Sequence, residues 1–222
     1  MMPKVVVIDG PAGSGKSTTA IALAKKLGYV YLDTGAMYRA LTLKFLNLGI
    51  KEYNDEKRIR NILDNTSIEI KPVDDVLHIF LDGIDVTYQI RSNEVDNCVS
   101  EISAIDSVRD FMQEKQRHIA HEYNIVAEGR DLGSYVFPDA DVKIFLTADL
   151  DVRAKRRLLQ KNAFPEEFNE FRKNLTKRDR IDSSRKHSPL KKVEDAIVVD
   201  TTNLTFDQQV EKIYSICKKK IG

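Results

Sequence analysis

Short apolar, β-branched runs recur along this chain and alternate with longer stretches of helical period. Val5–Asp9, Tyr29–Leu32, Ile125–Ala127, Val142–Leu146 and Ala196–Val199 are too short for helices and nearly continuous in apolar character. This predicts five strands of a parallel sheet, buried on both faces. Between them, Ala20, Leu23, Ala24 and Leu27 follow one helix face and stop at Gly28, and Met37, Leu41, Phe45 and Leu48 do the same before Gly49. Such alternation predicts a doubly wound α/β fold whose ligands bind along the carboxyl edge of the strands.

Two stretches break the alternation. From Thr66 to Thr87 the period falls to two: Ile68 and Ile70, then Leu77, Ile79 and Leu81, then the turn pair Asp82-Gly83 before Ile84 and Val86. This predicts a small antiparallel sheet inserted into the α/β core and forming one wall of a substrate cleft. Two helical patterns follow it, Val95, Cys98, Val99, Ile102 and Val108, Phe111, Met112, Ile119. From Leu150 to Leu190 charge is dense and apolar residues are thin, the composition of a mobile lid. The predicted organisation is one domain over residues 1–222. Its core takes about 1–65, 88–150 and 187–222, the insertion about 66–87 with following helices to 121, and the lid about 151–186.

Composition adds bounds. A chain of 222 residues with 42% apolar content suits one α/β domain with an insertion. With 35 Lys and Arg against 34 Asp and Glu, no overall field favours nucleic acid or an anionic membrane. Cys98 and Cys217 lie far apart in no metal-like spacing, which predicts reduced thiols without a chemical role. No apolar run reaches membrane-spanning length, so a cytoplasmic protein without signal or anchor is expected.

The chemistry begins where the first strand ends. Gly10-Pro11-Ala12-Gly13-Ser14-Gly15-Lys16-Ser17 fits the spacing G-x-x-x-x-G-K-[ST], with a strand before it and a helix after it, and Thr18 continues it. Glycines let backbone N–H groups curl around phosphates, Lys16 reaches the terminal phosphates and the Ser17 hydroxyl is placed to ligate Mg²⁺. A nucleoside triphosphate is the expected ligand. The lid stretch carries Arg153, Arg156, Arg157, Arg172, Arg178, Arg180 and Arg185. Phosphoryl transfer needs such groups, because its transition state spreads negative charge over the equatorial oxygens. Arg153, Arg156 and Arg157 fall on one helical face, a spacing that lets all three point at the same phosphates, whereas Arg172 and Arg180 read equally well as a solvated surface.

Three further motifs, Asp33-Thr34-Gly-Ala-Met-Tyr-Arg39, Glu128-Gly-Arg-Asp-Leu-Gly133 with Val136-Phe-Pro138, and Arg178-Asp-Arg-Ile-Asp182-Ser-Ser-Arg185 with Ser188-Pro-Leu190, together with the phosphate loop, resemble bacterial cytidylate kinase over nearly the whole chain. The resemblance implies a P-loop three-layer fold with a five-stranded parallel sheet, an inserted small antiparallel β domain and a helical lid. It implies ATP-dependent phosphorylation of CMP and dCMP, with Mg²⁺ accompanying ATP. Carried over by position, Arg39, Arg130 and Arg185 hold the acceptor phosphate, Asp182 and Arg178 face the ribose, Ser100, Arg109 and Asp131 read the base, and Thr34 joins the CMP-binding set. Lys16, Arg130, Arg153, Arg157 and Arg185 form the catalytic set. Guanidinium forks suit phosphate oxygens, and a carboxylate accepts from the cytosine amino group but repels the uracil carbonyl. Two positions depart from the pattern, Ile181 where a polar residue is usual and Ser134 where Thr is usual.

No catalytic His or Cys is expected, since a phosphate monoester with a second pKa of about 6 is already mostly dianionic at neutral pH. His118 and His121 lack a third ligand in register, Lys218 to Lys220 read as a soluble tail, and Tyr38 suits either the monophosphate pocket or the core. A monomer is expected. Kinases for UMP, AMP or a small metabolite, and a nucleotide-dependent switch, remain as alternatives, although the guanine-reading N-K-x-D pattern is absent.

Overall fold

The computed structural model describes residues 3–50, 52–73 and 76–222, with side chains described outside 72–77. In chain order the elements are β1 (Val5–Asp9), α1 (Lys16–Leu27), β2 (Val30–Asp33), α2 (Thr34–Asn47), α3 (Glu56–Asp64), β3 (Ile68–Val73), β4 (Val76–Leu81), β5 (Ile84–Asp85), α4 (Asn93–Ile102), α5 (Asp106–Glu122), β6 (Ile125–Gly129), β7 (Val142–Thr147), α6 (Leu150–Gln160), α7 (Phe168–Ser184), β8 (Ile197–Asp200) and α8 (Phe206–Ile221). Two compact units emerge, residues 1–33 with 116–222, and residues 34–115. The boundaries at 66 and 87 read from the sequence fall inside the second.

The first unit is built on a five-stranded sheet in the order β2-β6-β1-β7-β8. Its pairings are parallel, with Val6 opposite Val126 and Val142 in the central strand. The continuous apolar runs are explained by this burial: Val6, Val7, Ile8, Ile125, Val126 and Ala127 have no exposed surface. Ala20, Leu23 and Ala24 of α1 and Ile213 and Cys217 of α8 pack with Val6, Ile8, Val126 and Ile144 in one core. Burial there pushes the Cys217 thiol up to about 11, the environment of an inert packing residue. A capping box seats α8, the Thr205 hydroxyl accepting from Gln208 N–H while the Gln208 side chain accepts from Thr205 N–H. Strands β2 and β8 begin one residue later than their apolar runs, at Val30 and Ile197.

In the second unit, β3, β4 and β5 form a three-stranded antiparallel sheet. Ile68 pairs with Leu81 and Ile70 with Ile79, as the period-two pattern requires. Asp82 at φ 51° and Gly83 at φ 81° both take left-handed backbone, which is what a two-residue hairpin turn demands. Ile79, Leu81 and Val86 are buried while Ile84 is exposed, and the side chain of Leu77 lies outside the described residues. Helix α2 packs against β4 and α4 through a face of Met37, Leu41 and Phe45, but it ends before Leu48, which is half exposed.

Candidate functional site

β1 delivers the chain into the glycine loop at the carboxyl edge of the sheet. Gly10 has φ 151°, and a Cβ there would lie 2.0 Å from the Leu146 carbonyl oxygen of β7, so no side chain fits. Gly13 and Gly15 also take positive φ, 76° and 93°, which turns successive N–H groups inward. Gly15 caps α1, whose first turn carries no acidic residue, leaving its N-terminus open to an anion. Lys16, the first helical residue, is buried and arches back to donate to the Pro11 carbonyl at 2.8 Å. Ser17 and Thr18 are exposed on the same turn, and the Thr18 hydroxyl donates to Gly15 O at 3.0 Å. Ser14 is fully buried, and its hydroxyl has no hydrogen-bond partner among the described residues.

Carboxylates from the strand ends surround Lys16. Burial lowers its ammonium to about 7, helped by the charge of Arg130 and opposed by Glu128, Asp182 and Asp9. Glu128, the last residue but one of β6, is buried, accepts from Tyr31 Oη at 2.8 Å and hydrogen-bonds Ser17. Burial and its register partner Asp33 on β2 raise its carboxyl, against the pull of Lys16. Asp9 is raised by burial to about 6, against two backbone hydrogen bonds, from Leu132 N–H at 3.0 Å and Gly133 N–H at 2.8 Å.

Arg130 and Asp131 follow β6 directly. Arg130 Nε donates to Asp182 Oδ2 at 2.8 Å, and the other oxygen of Asp182 takes Arg185. Asp182 is buried, and burial alone would raise its carboxyl. Arg130, Arg185 and Arg178 outweigh that and hold it below the usual carboxylate range. Two arginines expected to bind phosphate are thus joined through the residue expected to face the ribose. Asp131 is itself buried, and its carbonyl accepts from Ser134 and Tyr135 N–H as the chain enters a single wide helical turn, Leu132–Val136.

In the proposed lid, α6 packs on α7 over a small cluster of Ala12, Ala154, Leu175, Leu150 and Phe168. The three arginines of α6 take different protein partners. Arg153 is buried and donates to Ala148 O, to Ala12 O at 2.9 Å and to Asp179 Oδ2 at 2.6 Å. Arg156 reaches Thr201 O at 2.8 Å and Ser14 O at 3.4 Å, and Arg157 donates to Gln160 at 2.9 Å. Residues three and four apart share a side of the helix, but these guanidiniums diverge toward whichever carbonyls and carboxylates lie in reach. Asp179 completes a clasp on the loop, its other oxygen accepting from Ala12 N–H at 3.1 Å. Arg172 pairs with Asp151 on an exposed surface, and Arg180 is exposed.

The second unit gathers Thr34, Arg39, Ser100 and Arg109. Thr34 opens α2 and is buried. Arg39 donates to Asp96 Oδ1 of α4 at 2.7 Å, both side chains being nearly buried. Ser100 is buried one turn further along α4. Arg109 of α5 is 1% exposed, donates to Ser103 O at 3.0 Å and lies 5.5 Å from the centre of the Tyr38 ring. Tyr38 therefore belongs to the interior of this unit. His118 pairs only weakly with Glu122 on an exposed helix face, and no cluster of three or more His, Cys, Asp or Glu able to hold a metal occurs among the described residues.

Sequence reasoning gave no role to Asp9, Asp33, Asp96, Glu128 or Asp179. Asp9 and Glu128 carried a usable signal: each is an acid at the carboxyl end of a buried strand, next to a phosphate-binding motif. Asp96 carried none, since an acid on an exposed-looking helix is ordinary, and Asp179 carried only its place inside the motif from Arg178 to Arg185.

A parallel sheet whose first strand runs through a glycine nest into a helix, with a buried lysine at the junction, defines a P-loop nucleotide-binding fold. Residues 6–219 match the family model described as "Cytidylate kinase". Proteins of that name from Geobacillus sp. and Carboxydothermus hydrogenoformans are 46% and 47% identical to it over 219 and 220 residues, covering 98% and 97% of this chain and 97% of each relative. An uncharacterized protein from Eubacterium ventriosum shares the fold at a TM-score of 0.50 and 13% identity, over 97% of this chain and 98% of its own. The chain belongs to the cytidylate kinase family. No helix among the described residues is long and apolar enough to cross a membrane.

Proposed function

We propose that the chain transfers the terminal phosphoryl group of ATP to CMP and dCMP, forming CDP and dCDP in the cytoplasm. The observation that carries this reading is the pairing of Arg130 and Arg185 through one buried carboxylate, Asp182, within electrostatic reach of Lys16 in the phosphate loop. Donor-binding and acceptor-binding cations are thereby held in one unit.

In this reading the loop from Gly10 to Thr18 cradles the donor phosphates with its N–H groups, and Lys16 follows charge onto the transferring phosphoryl. Arg39, Arg130 and Arg185 orient the acceptor phosphate, which needs no strong base because it is already dianionic. Thr34, Arg178 and Asp182 bind the rest of the nucleotide, and Ser100, Arg109 and Asp131 select cytosine. Arg157, with Arg153 bracing the loop, stabilises the charge of the transition state from the lid, whose closure excludes water. Mg²⁺, when bound with ATP, would supply charge neutralisation at the donor phosphates. The hard oxygen donors at the end of the loop fit it: Ser17 as ligand, with the carboxylates of Glu128 and Asp33 beside it.

The test is ADP formation from Mg·ATP with CMP, dCMP, UMP, AMP and GMP offered separately. Turnover confined to CMP and dCMP is the expected result. Preference for another acceptor would overturn the pocket, and ADP formation indifferent to acceptor would overturn the kinase reading.

A further inference from the structure

Asp9 is a buried carboxylate that touches neither the glycine loop's N–H groups nor any arginine by hydrogen bond. It is 6% exposed, and its two oxygens are taken by two consecutive backbone donors, Leu132 N–H at 3.0 Å and Gly133 N–H at 2.8 Å. Those donors follow Asp131 immediately in the chain, while Asp9 itself immediately precedes Gly10. A Cβ at Gly133 would make ordinary contact with Asp9 Oδ2 at 3.4 Å and press lightly on the flexible Lys143 side chain at 3.3 Å. A buried carboxylate with this cost of desolvation is retained where its hydrogen bonds fix something.

We propose that Asp9 is a positioning residue for nucleobase selection: its two-pronged grip on Leu132 and Gly133 sets Asp131 at a fixed height relative to the phosphate loop. The inference rests on the proposed role of Asp131 in reading cytosine. A carboxylate has an acceptor for each N–H, whereas an asparagine must turn its NH₂ toward one of them. Asp9→Asn therefore releases one prong without changing shape or volume. Misplacing a selective group by a fraction of an ångström costs on the order of tenfold or more in rate or affinity.

The experiment compares wild type, D9N and D9S in steady-state kinetics with CMP, UMP and ATP, alongside amide hydrogen exchange at Leu132 and Gly133. Expected for D9N are faster exchange at those amides, a KM for CMP raised about tenfold, a CMP-to-UMP ratio of kcat/KM lowered about tenfold, and a KM for ATP changed less than threefold. D9S, whose single short hydroxyl cannot accept from both amides, should show the same split, and it carries the test if D9N does not fold. A folded variant with an unchanged CMP-to-UMP ratio, or equal losses for both substrates, would overturn the inference alone. Wild-type protein that forms no ADP with CMP would overturn the substrate reading and this inference with it.

Discussion

Arg130 Nε lies 2.8 Å from Asp182 Oδ2, and the second oxygen of that buried carboxylate belongs to Arg185. One negative charge is therefore shared by two guanidiniums, and the cluster keeps a net positive charge. Such an arrangement keeps the cations in place and desolvated, ready for a dianion, at a cost smaller than that of two unpaired buried charges.

Replacing Asp182 with Asn removes the shared counterion. Breaking a buried pair from one side typically costs about 3–5 kcal/mol, so urea denaturation should show a loss of that order. Because a phosphate dianion can take over the vacant role, inorganic phosphate should raise the Tm of D182N more than that of wild type. Equal shifts would show that the arginines do not bind the anion.

Lys16 makes proton uptake a measure of nucleotide binding. Its pKa is lowered to about 7 by burial, with Arg130 adding, so at pH 8 the unliganded lysine is mostly neutral. Phosphates at the loop favour the ammonium, and ATP binding at pH 8 should take up a fraction of a proton, read by calorimetry in buffers of different ionisation enthalpy. Lys16→Met should abolish that uptake and lower kcat by about 100-fold or more. The sign for stability follows from the same shift. Between about 7 and the ordinary value of 10.5 the native state binds fewer protons than the unfolded state, so unliganded wild type gains stability relative to K16M as pH rises through that window.

The diverging arginines of α6 predict different phenotypes. Arg153 is held by two carbonyls and Asp179, and Arg153→Lys should cost about 1–3 kcal/mol in stability because a single ammonium cannot replace the fork. Arg157 is paired to Gln160 on its own helix, and Arg157→Lys should leave the urea midpoint almost unchanged while lowering kcat about tenfold or more. A kcat defect in R153K without any loss of stability would reverse these assignments.

Much of this protein was written locally. The strand runs, the glycine loop between β1 and α1, and the Asp82-Gly83 hairpin depend on properties of a few neighbouring residues: burial of a continuous apolar run, backbone freedom at glycine, and period-two alternation. These are readable without knowing the partner across the sheet. Many of the expected site residues stand in motifs contiguous in the chain, whereas Ser100 and Arg109 stand in none and come only from the resemblance.

What the tertiary structure alone decided is the set of partners. Nothing in the order of residues says that Asp9 grips Leu132 and Gly133, 123 and 124 positions away, that Asp182 serves Arg130 and Arg185 at once, or that Arg153 and Arg156 turn to different carbonyls. A charged side chain has the same local pattern whether it faces water or a buried counterion. The choice is made only when folding removes water and brings distant backbone donors and carboxylates within hydrogen-bond reach, and that burial, opposed in part by the partners it brings, shifts Lys16 and Asp9 from their ordinary values.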